Sequence, residues 1–307
     1  MSEAVETITA NPPFDNPDCD IILRSTDGVH FHVFKLILSL MSPVFKDMFT
    51  LPQNGLQSEV SSVPVIHVSE GSTTLQILLL LCYPAATATF DSLDDAKAVM
   101  EAARKYDMQA TLSRAGDLAI AQFLPYHFLE LYSLSCRFGW EHHAQTAATR
   151  ALEIKDLGRP SNEFNGMRDI TALDHHRLLI YHYECGVAAQ AVGDSLSWLG
   201  ISSKHPMWRE CGGCKSTSSR ALQVGNLGKL TIAMWFDEYL VSSGKDLFAR
   251  PCESTLMESA YYNRAIVKAT ACGLCRITVV ESMDRFRTSY MAQVKKVVAI
   301  VKLRQSS

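Results

Sequence analysis

The chain has 307 residues, 47% of them hydrophobic, which is enough apolar material for one large domain or for two or three small ones with separate cores. Its 29 Lys and Arg stand against 32 Asp and Glu, a formal net charge of -3 that excludes the electrostatic footprint of a nucleic-acid or anionic-membrane binder. Nine cysteines, an odd number in a long chain, point to free or metal-bound thiols in the cytoplasm or nucleus and away from a disulfide framework.

Met1 to Asp15 has no basic n-region and no apolar run, and Pro12-Pro13 would break a helix, so residues 1–16 are expected to form a short disordered tail without a signal peptide. Asp20 to Arg24 and Val29 to Val33 read as two β-strands joined at Ser25-Thr26-Asp27-Gly28, where Asp-Gly favours the positive φ of a tight turn. Phe34 to Met41 is so dense in apolar residues that a helix buried on most sides is expected. Ser42-Pro43 opens the next helix, because the hydroxyl accepts an orphan backbone N–H and proline has none to lose; its apolar face is Val44, Phe45, Met48 and Phe49. Pro52, Gly55 and Pro64 bound a loop.

Val65 to Val68 is a third strand, and Thr73 with Gln76 would form a capping box for a helix through Cys82. The most apolar stretch, Leu75 to Tyr83, is about ten residues long and ends at Pro84, whereas a membrane span needs roughly twenty. Ser92 caps a further helix with Asp94 and Asp95 in its first turn and the stripe Leu93, Ala96, Val99, Met100 and Ala103. From Leu112 to about Lys155 there are only helical stripes, broken at Pro125 and Gly139.

Residues 158–170 are rich in Gly, Pro, Ser and Asn and read as a linker. A long helix is expected from Ala172 to Leu199, and Ser202 to Leu230 has too few apolar residues to order a core of its own. Helices resume at Thr231, at about Thr255, and from Ile277 to Leu303. The last stripe, Val279, Met283, Phe286, Tyr290, Val294 and Val297 or Val298, is expected to pack on the chain's own helices, since a coiled coil needs several sustained heptads.

Cys19-Asp20-Ile21-Ile22-Leu23, then Gly28-Val29-His30-Phe31, Leu38-Ser39 and Ser42-Pro43-Val44-Phe45 with Met48-Phe49, resembles in order the opening of a BTB/POZ domain. Ser92-Leu93-Asp94-Asp95 and Ala103-Arg104-Lys105-Tyr106-Asp107-Met108 are similar to stretches of the fungal BTB domain proteins. The resemblance covers about 19–108 and, more loosely, the helices to about 157. It implies an α+β fold, mostly α: a helical bundle with a small flanking sheet over 17–110. A helical extension at 111–157 and a helical, Cys-containing region at 171–307 follow. The implied activity is binding, to a second copy as a homodimer, to co-repressors or other chromatin factors, or to cullin scaffolds of ubiquitin ligases, with no catalysis. In dimeric repressor members an Asp near the first strand and the basic residue of the buried helix line a charged pocket at the dimer interface; the matching positions here are Asp20 and Lys35. The residue before Lys35 is Phe34 where the family usually has His.

Two Cys-x-x-Cys pairs, Cys211 with Cys214 and Cys272 with Cys275, are expected to hold one structural zinc ion, because that spacing lets both thiolates reach one tetrahedral ion. The enclosed glycines Gly212, Gly213 and Gly273 ease the turn, and His205 or Cys252 are substitute ligands; the alternative is four free thiols. A closed site of four thiolates has no open position for catalysis. His142-His143 and His175-His176, with His182, are adjacent pairs about 100° apart on a helix and do not converge on one ion. With no phosphate loop or hydrolase motif, the expected function is a non-enzymatic adaptor or scaffold. The alternative is a thiol redox or metal-dependent enzyme built on the Cys-x-x-Cys pairs, which would need the motif after a strand in a βαβ setting.

Overall fold

The computed structural model describes residues 8–50, 63–83, 87–200, 220–257 and 259–304. The chain divides into two compact units, residues 1–127 and 128–307.

In the first unit the strands β1 (Ile21–Arg24) and β2 (His30–Val33) pair antiparallel, and β3 (Val65–His67) adds parallel to β1, giving the order β2-β1-β3. Gly28 makes the hairpin turn at φ +88°, a backbone angle that L side chains rarely adopt. Ile21, Leu23, Phe31 and Val33 alternate onto the buried face. Residues 8–16, expected as a disordered tail, are laid along β2 instead: Ala10 donates to the His30 carbonyl and His30 to that of Ile8, at 2.9 and 2.8 Å. Phe14 supplies the reason. It is 1% exposed, edge-on to Tyr83 at 5.2 Å, and its burial offsets the entropy of ordering the segment.

The helices α1 (Lys35–Met41), α2 (Pro43–Thr50), α3 (Ser72–Cys82), α4 (Leu93–Lys105) and α5 (Gln109–Phe123) complete the unit. Ser92 caps α4 as its sequence requires, accepting from the Asp95 N–H at 3.1 Å, and the stripe Leu93, Ala96, Val99, Met100, Ala103 is buried. The Thr73–Gln76 capping box does not form. Gly71 is the N-cap of α3, and the Ser72 N–H is taken from outside the helix by Asp27 of the hairpin, at 2.8 Å. The helix α5, grouped by sequence with the extension, belongs to the first unit, where Leu112, Ala115 and Ala119 pack it onto α3 and α4.

The second unit begins with α6 (Phe128–Phe138) and α7 (Glu141–Ala151), reversed at Gly139 and joined by an alanine face, Ala144, Ala147, Ala148 and Ala151, that permits close approach. Residues 158–170 carry two short 3-10 turns, the second packed on α6. The helix α8 (Ala172–Ala191) stops well short of Leu199, where the Trp198 indole donates to the Val192 carbonyl at 3.0 Å in place of the next helical turn. Within the stretch expected to order no core of its own a hairpin forms: β4 (Ala221–Val224) pairs antiparallel with β5 (Gly228–Thr231). Then come α9 (Met234–Ala249), α10 (Ser259–Thr270) and α11 (Val279–Ile300). The stripe of α11 faces inward, with Val298 rather than Val297 at its end, against α8 and α10. Phe236, Tyr239, Phe286 and Tyr290 form the aromatic centre of this core.

Candidate interaction surface

Asp20 and Lys35 meet, but through the backbone: the Lys35 N–H donates to Asp20 Oδ1 at 2.7 Å. Phe34, the N-cap of α1, offers no side-chain acceptor, so the carboxylate at the foot of β1 serves the first orphan N–H of the helix. This fixes the direction in which α1 leaves the sheet.

That direction exposes one side of α1. Only Leu38 is buried, while Leu36 and Leu40 are 69% and 76% exposed, which corrects the expectation of a helix buried on most sides. At 100° per residue Leu36 and Leu40 share a face and Leu38 lies opposite, so dense apolar content here marks two faces, one inside and one outside. Val44, at the start of α2, is exposed beside them in the chain.

The α1–α2 junction is held from below. Ser42 is fully buried; its Oγ accepts from the Phe45 N–H at 3.0 Å and donates to the Tyr106 carbonyl at 2.5 Å. Its own N–H donates to the Leu38 carbonyl at 2.8 Å, so one serine closes α1 and opens α2. The Phe45 ring stacks on Tyr106, centroids 4.5 Å apart, and on Phe49 at 5.9 Å. The Tyr106 hydroxyl donates to Glu70, which Lys105 pairs at 2.8 Å. Burial pushes the Tyr106 hydroxyl far up, and the Glu70 bond adds to it. Burial alone would raise Glu70, but the bonds from Lys105 and Tyr106 outweigh it and leave the carboxyl below its ordinary value. The junction is thus a satisfied polar brace under an exposed apolar face.

Of the four proposed zinc ligands, Cys211 and Cys214 lie outside the described residues, as does His205. Cys272 and Cys275 sit in one tight turn after α10, where the Arg276 N–H donates to the Cys272 carbonyl at 3.0 Å, and Cys275 is 2% exposed. The Cys252 thiol lies 3.1 Å from Ser254 Oγ. Among the described residues no group of three or more His, Cys, Asp or Glu is placed to hold a metal ion. The His182 imidazole is within 2.9 Å of the Ile154 carbonyl, and burial lowers its pKa, as suits a structural histidine. Burial pushes the thiols of Cys82 and Cys136 up to about 11 and that of Cys185 to about 12, so these three are protonated and weakly nucleophilic. The Cys272–Cys275 turn follows a helix, not a strand. No helix among the described residues is long and apolar enough to cross a membrane.

Compared with known proteins, residues 11–122 match the family model of the BTB/POZ domain. No curated protein matches the chain.

Proposed function

Residues 11–122 are a BTB/POZ domain, a module that mediates protein–protein contacts and dimerisation, and on that premise we propose that this chain is a non-enzymatic adaptor that self-associates through the outer face of α1. The observation that carries the reading is the exposure of Leu36 and Leu40 on a helix whose position is fixed by Asp20 and whose base is braced by Ser42 and Tyr106. A rigid apolar face of this kind supports a docking role, because exposing it alone costs solvation and a second surface recovers it. The domain contacts a cullin scaffold or a chromatin factor, and the helical second unit presents a further surface. Affinity purification of the tagged full-length chain from native lysate, with identification of the retained proteins, tests this. Cullin assigns it to ubiquitin ligation, chromatin factors to transcriptional control, and reproducible absence of any partner removes the adaptor role.

One structural zinc ion, held by Cys211, Cys214, Cys272 and Cys275, belongs to the same reading. Its support is the fold of the second pair: two cysteines in a single turn, one of them buried, with the spacing that two thiolates of one tetrahedral site require. The ion would tie the segment that bears the first pair to the end of α10 and take no part in chemistry.

A further inference from the structure

The small sheet of the first unit has one covered edge and one open edge. Along β2 the edge is covered, where Thr9 bridges His30 and the Ala10 N–H donates to the His30 carbonyl at 2.9 Å. On the other side β3 is outermost. Its ladder to β1 uses the Pro64 carbonyl, which accepts from Ile22, and the Val68 N–H, which donates to Arg24, both at 2.9 Å. The N–H and carbonyl groups of Val65 and His67 therefore point outward, and both residues are exposed. Among the described residues these groups meet no hydrogen-bond partner, which leaves a short template for a further strand.

The register sets one row of side chains against that edge. His30, Arg24 and His67 are direct cross-strand partners, so they lie in line on the face opposite the buried Leu23 and Phe31. His32, Ile22 and Val65 form the next row on the same face. At about 4.8 Å between strands the first row spans roughly 10 Å. It carries one sign of charge. Burial first, then Arg24 on β1, His32 on β2 and His67 on β3, hold the His30 pKa below its ordinary value. Residues Ile8 to Phe14 along the covered edge bring no charge. Arg24 makes no ion pair among the described residues. The carboxylates that flank the strands, Asp20, Asp27 and Glu70, are engaged by the Lys35 N–H, by Ser72 and by Lys105.

We propose that an extended, acidic segment of a partner protein adds to the open edge of β3 and sets its alternate carboxylates in line with His67 and Arg24. The edge selects the extended form, through backbone hydrogen bonds that another strand completes. The uncompensated row selects negative charge. An exposed sheet face has no walls to enclose a small anion, which selects a segment over a free oxyanion, and the net charge of -3 disfavours a nucleic acid. The proposal rests on the adaptor reading and names the segment that its domain takes beside α1.

The test is fluorescence polarisation of the full-length chain with a labelled Ser-Glu-Val-Glu-Val-Glu-Ser peptide. Saturable binding is expected, weaker by roughly fivefold for the glutamine counterpart and for Arg24→Gln or His67→Gln, the size that exposed charge contacts supply. Imidazoles gain charge below about pH 6.5 while glutamate stays ionised above about 4.3, so binding should tighten as pH falls from about 7.5 to about 5.5. Two further peptides are N-methylated, one at the valines and one at the glutamates. One should lose binding and the other keep it, since only alternate N–H groups of an added strand face β3. No saturable binding, equal binding of the glutamate and glutamine peptides, no tightening with acid, indifference to both variants, or like behaviour of the two methylated peptides overturns the proposal. So does equal competition by inorganic phosphate, which would make the row a small-anion site. Melting temperatures report the folding of the variants, and the peptide comparisons use the unaltered chain. Sedimentation of the same samples reports self-association through α1 separately, so a peptide that fails to bind a chain that still dimerises removes the β3 assignment alone.

Discussion

The hydroxyl of Ser42 and the carbonyl of Tyr106, 64 positions apart in the chain, are joined by a buried hydrogen bond of 2.5 Å. The same oxygen caps α2 through the Phe45 N–H, so the start of the helix and the end of α4 are registered through one atom. Ser42→Ala removes both partners at once and leaves a buried carbonyl and a buried N–H unsatisfied. The expected cost is about 2 kcal/mol, above that of an exposed cap. Phe45→Ala, which empties the stack between Phe49 and Tyr106, should cost about 3–5 kcal/mol. Urea unfolding followed by far-UV dichroism measures both, and equal small shifts would mean that the junction is not part of the core.

Asp27 holds the N-terminus of α3 across the turn of the hairpin. Its carboxyl is lowered to about 2, chiefly by the hydrogen bond from the Ser72 hydroxyl and then by that from Ser25. A depressed folded-state value means that the ionised form contributes stability above the ordinary carboxyl value of 3.8, and that this is lost as pH falls through about 2. Asp27 is exposed, so the effect is modest. Asp27→Asn should therefore flatten the fall in melting temperature over that acid range. An unchanged acid profile would show that the carboxylate does not hold the helix.

These two caps also mark what a sequence discloses. Ser42 and Ser92 were legible because a capping residue and its N–H lie three positions apart, and the hairpin turn at Gly28 is equally local. Asp27 was not, since its partner Ser72 is 45 positions away and Thr73–Gln76 offered a nearer, unused solution. The exposure of Leu36 and Leu40 is not legible, because apolar density says how much is hydrophobic and not which face meets the core. The hairpin β4–β5 had a readable signal in the buried alternation of Leu222 and Val224 around Gly225, lost within a polar, glycine-rich stretch. Asp20 and Lys35 are in contact through the Lys35 backbone amide, which no side-chain pattern encodes.

Gly186 sets the approach of α8 to α9. A Cβ added there would lie 2.5 Å from the Phe248 carbonyl oxygen, a backbone atom that cannot move without shifting the helix. Gly186→Ala should destabilise the second unit by about 1–3 kcal/mol. Limited proteolysis with mass mapping would show the loss confined to residues after 128, whereas unchanged resistance would contradict the close packing.

Protein purified without added metal should contain one zinc per chain by elemental analysis. Cys272→Ser should lose it, together with protease resistance in the stretch between α8 and β4. A metal-free chain with four titratable thiols at those positions would establish the alternative of free cysteines.

The central claim, that α1 presents a docking face, is tested most directly by sedimentation velocity of the full-length chain over a concentration series, beside the double variant Leu36→Glu, Leu40→Glu. Both side chains are exposed, so the variant should keep the wild-type dichroism and melting temperature. The wild type should sediment as a dimer, with dissociation in the variant raised on the order of 100-fold by the unpaired charges, two from each protomer, placed in an apolar contact. A wild-type chain that is monomeric at every concentration, or a dimer that the variant leaves intact, would contradict it.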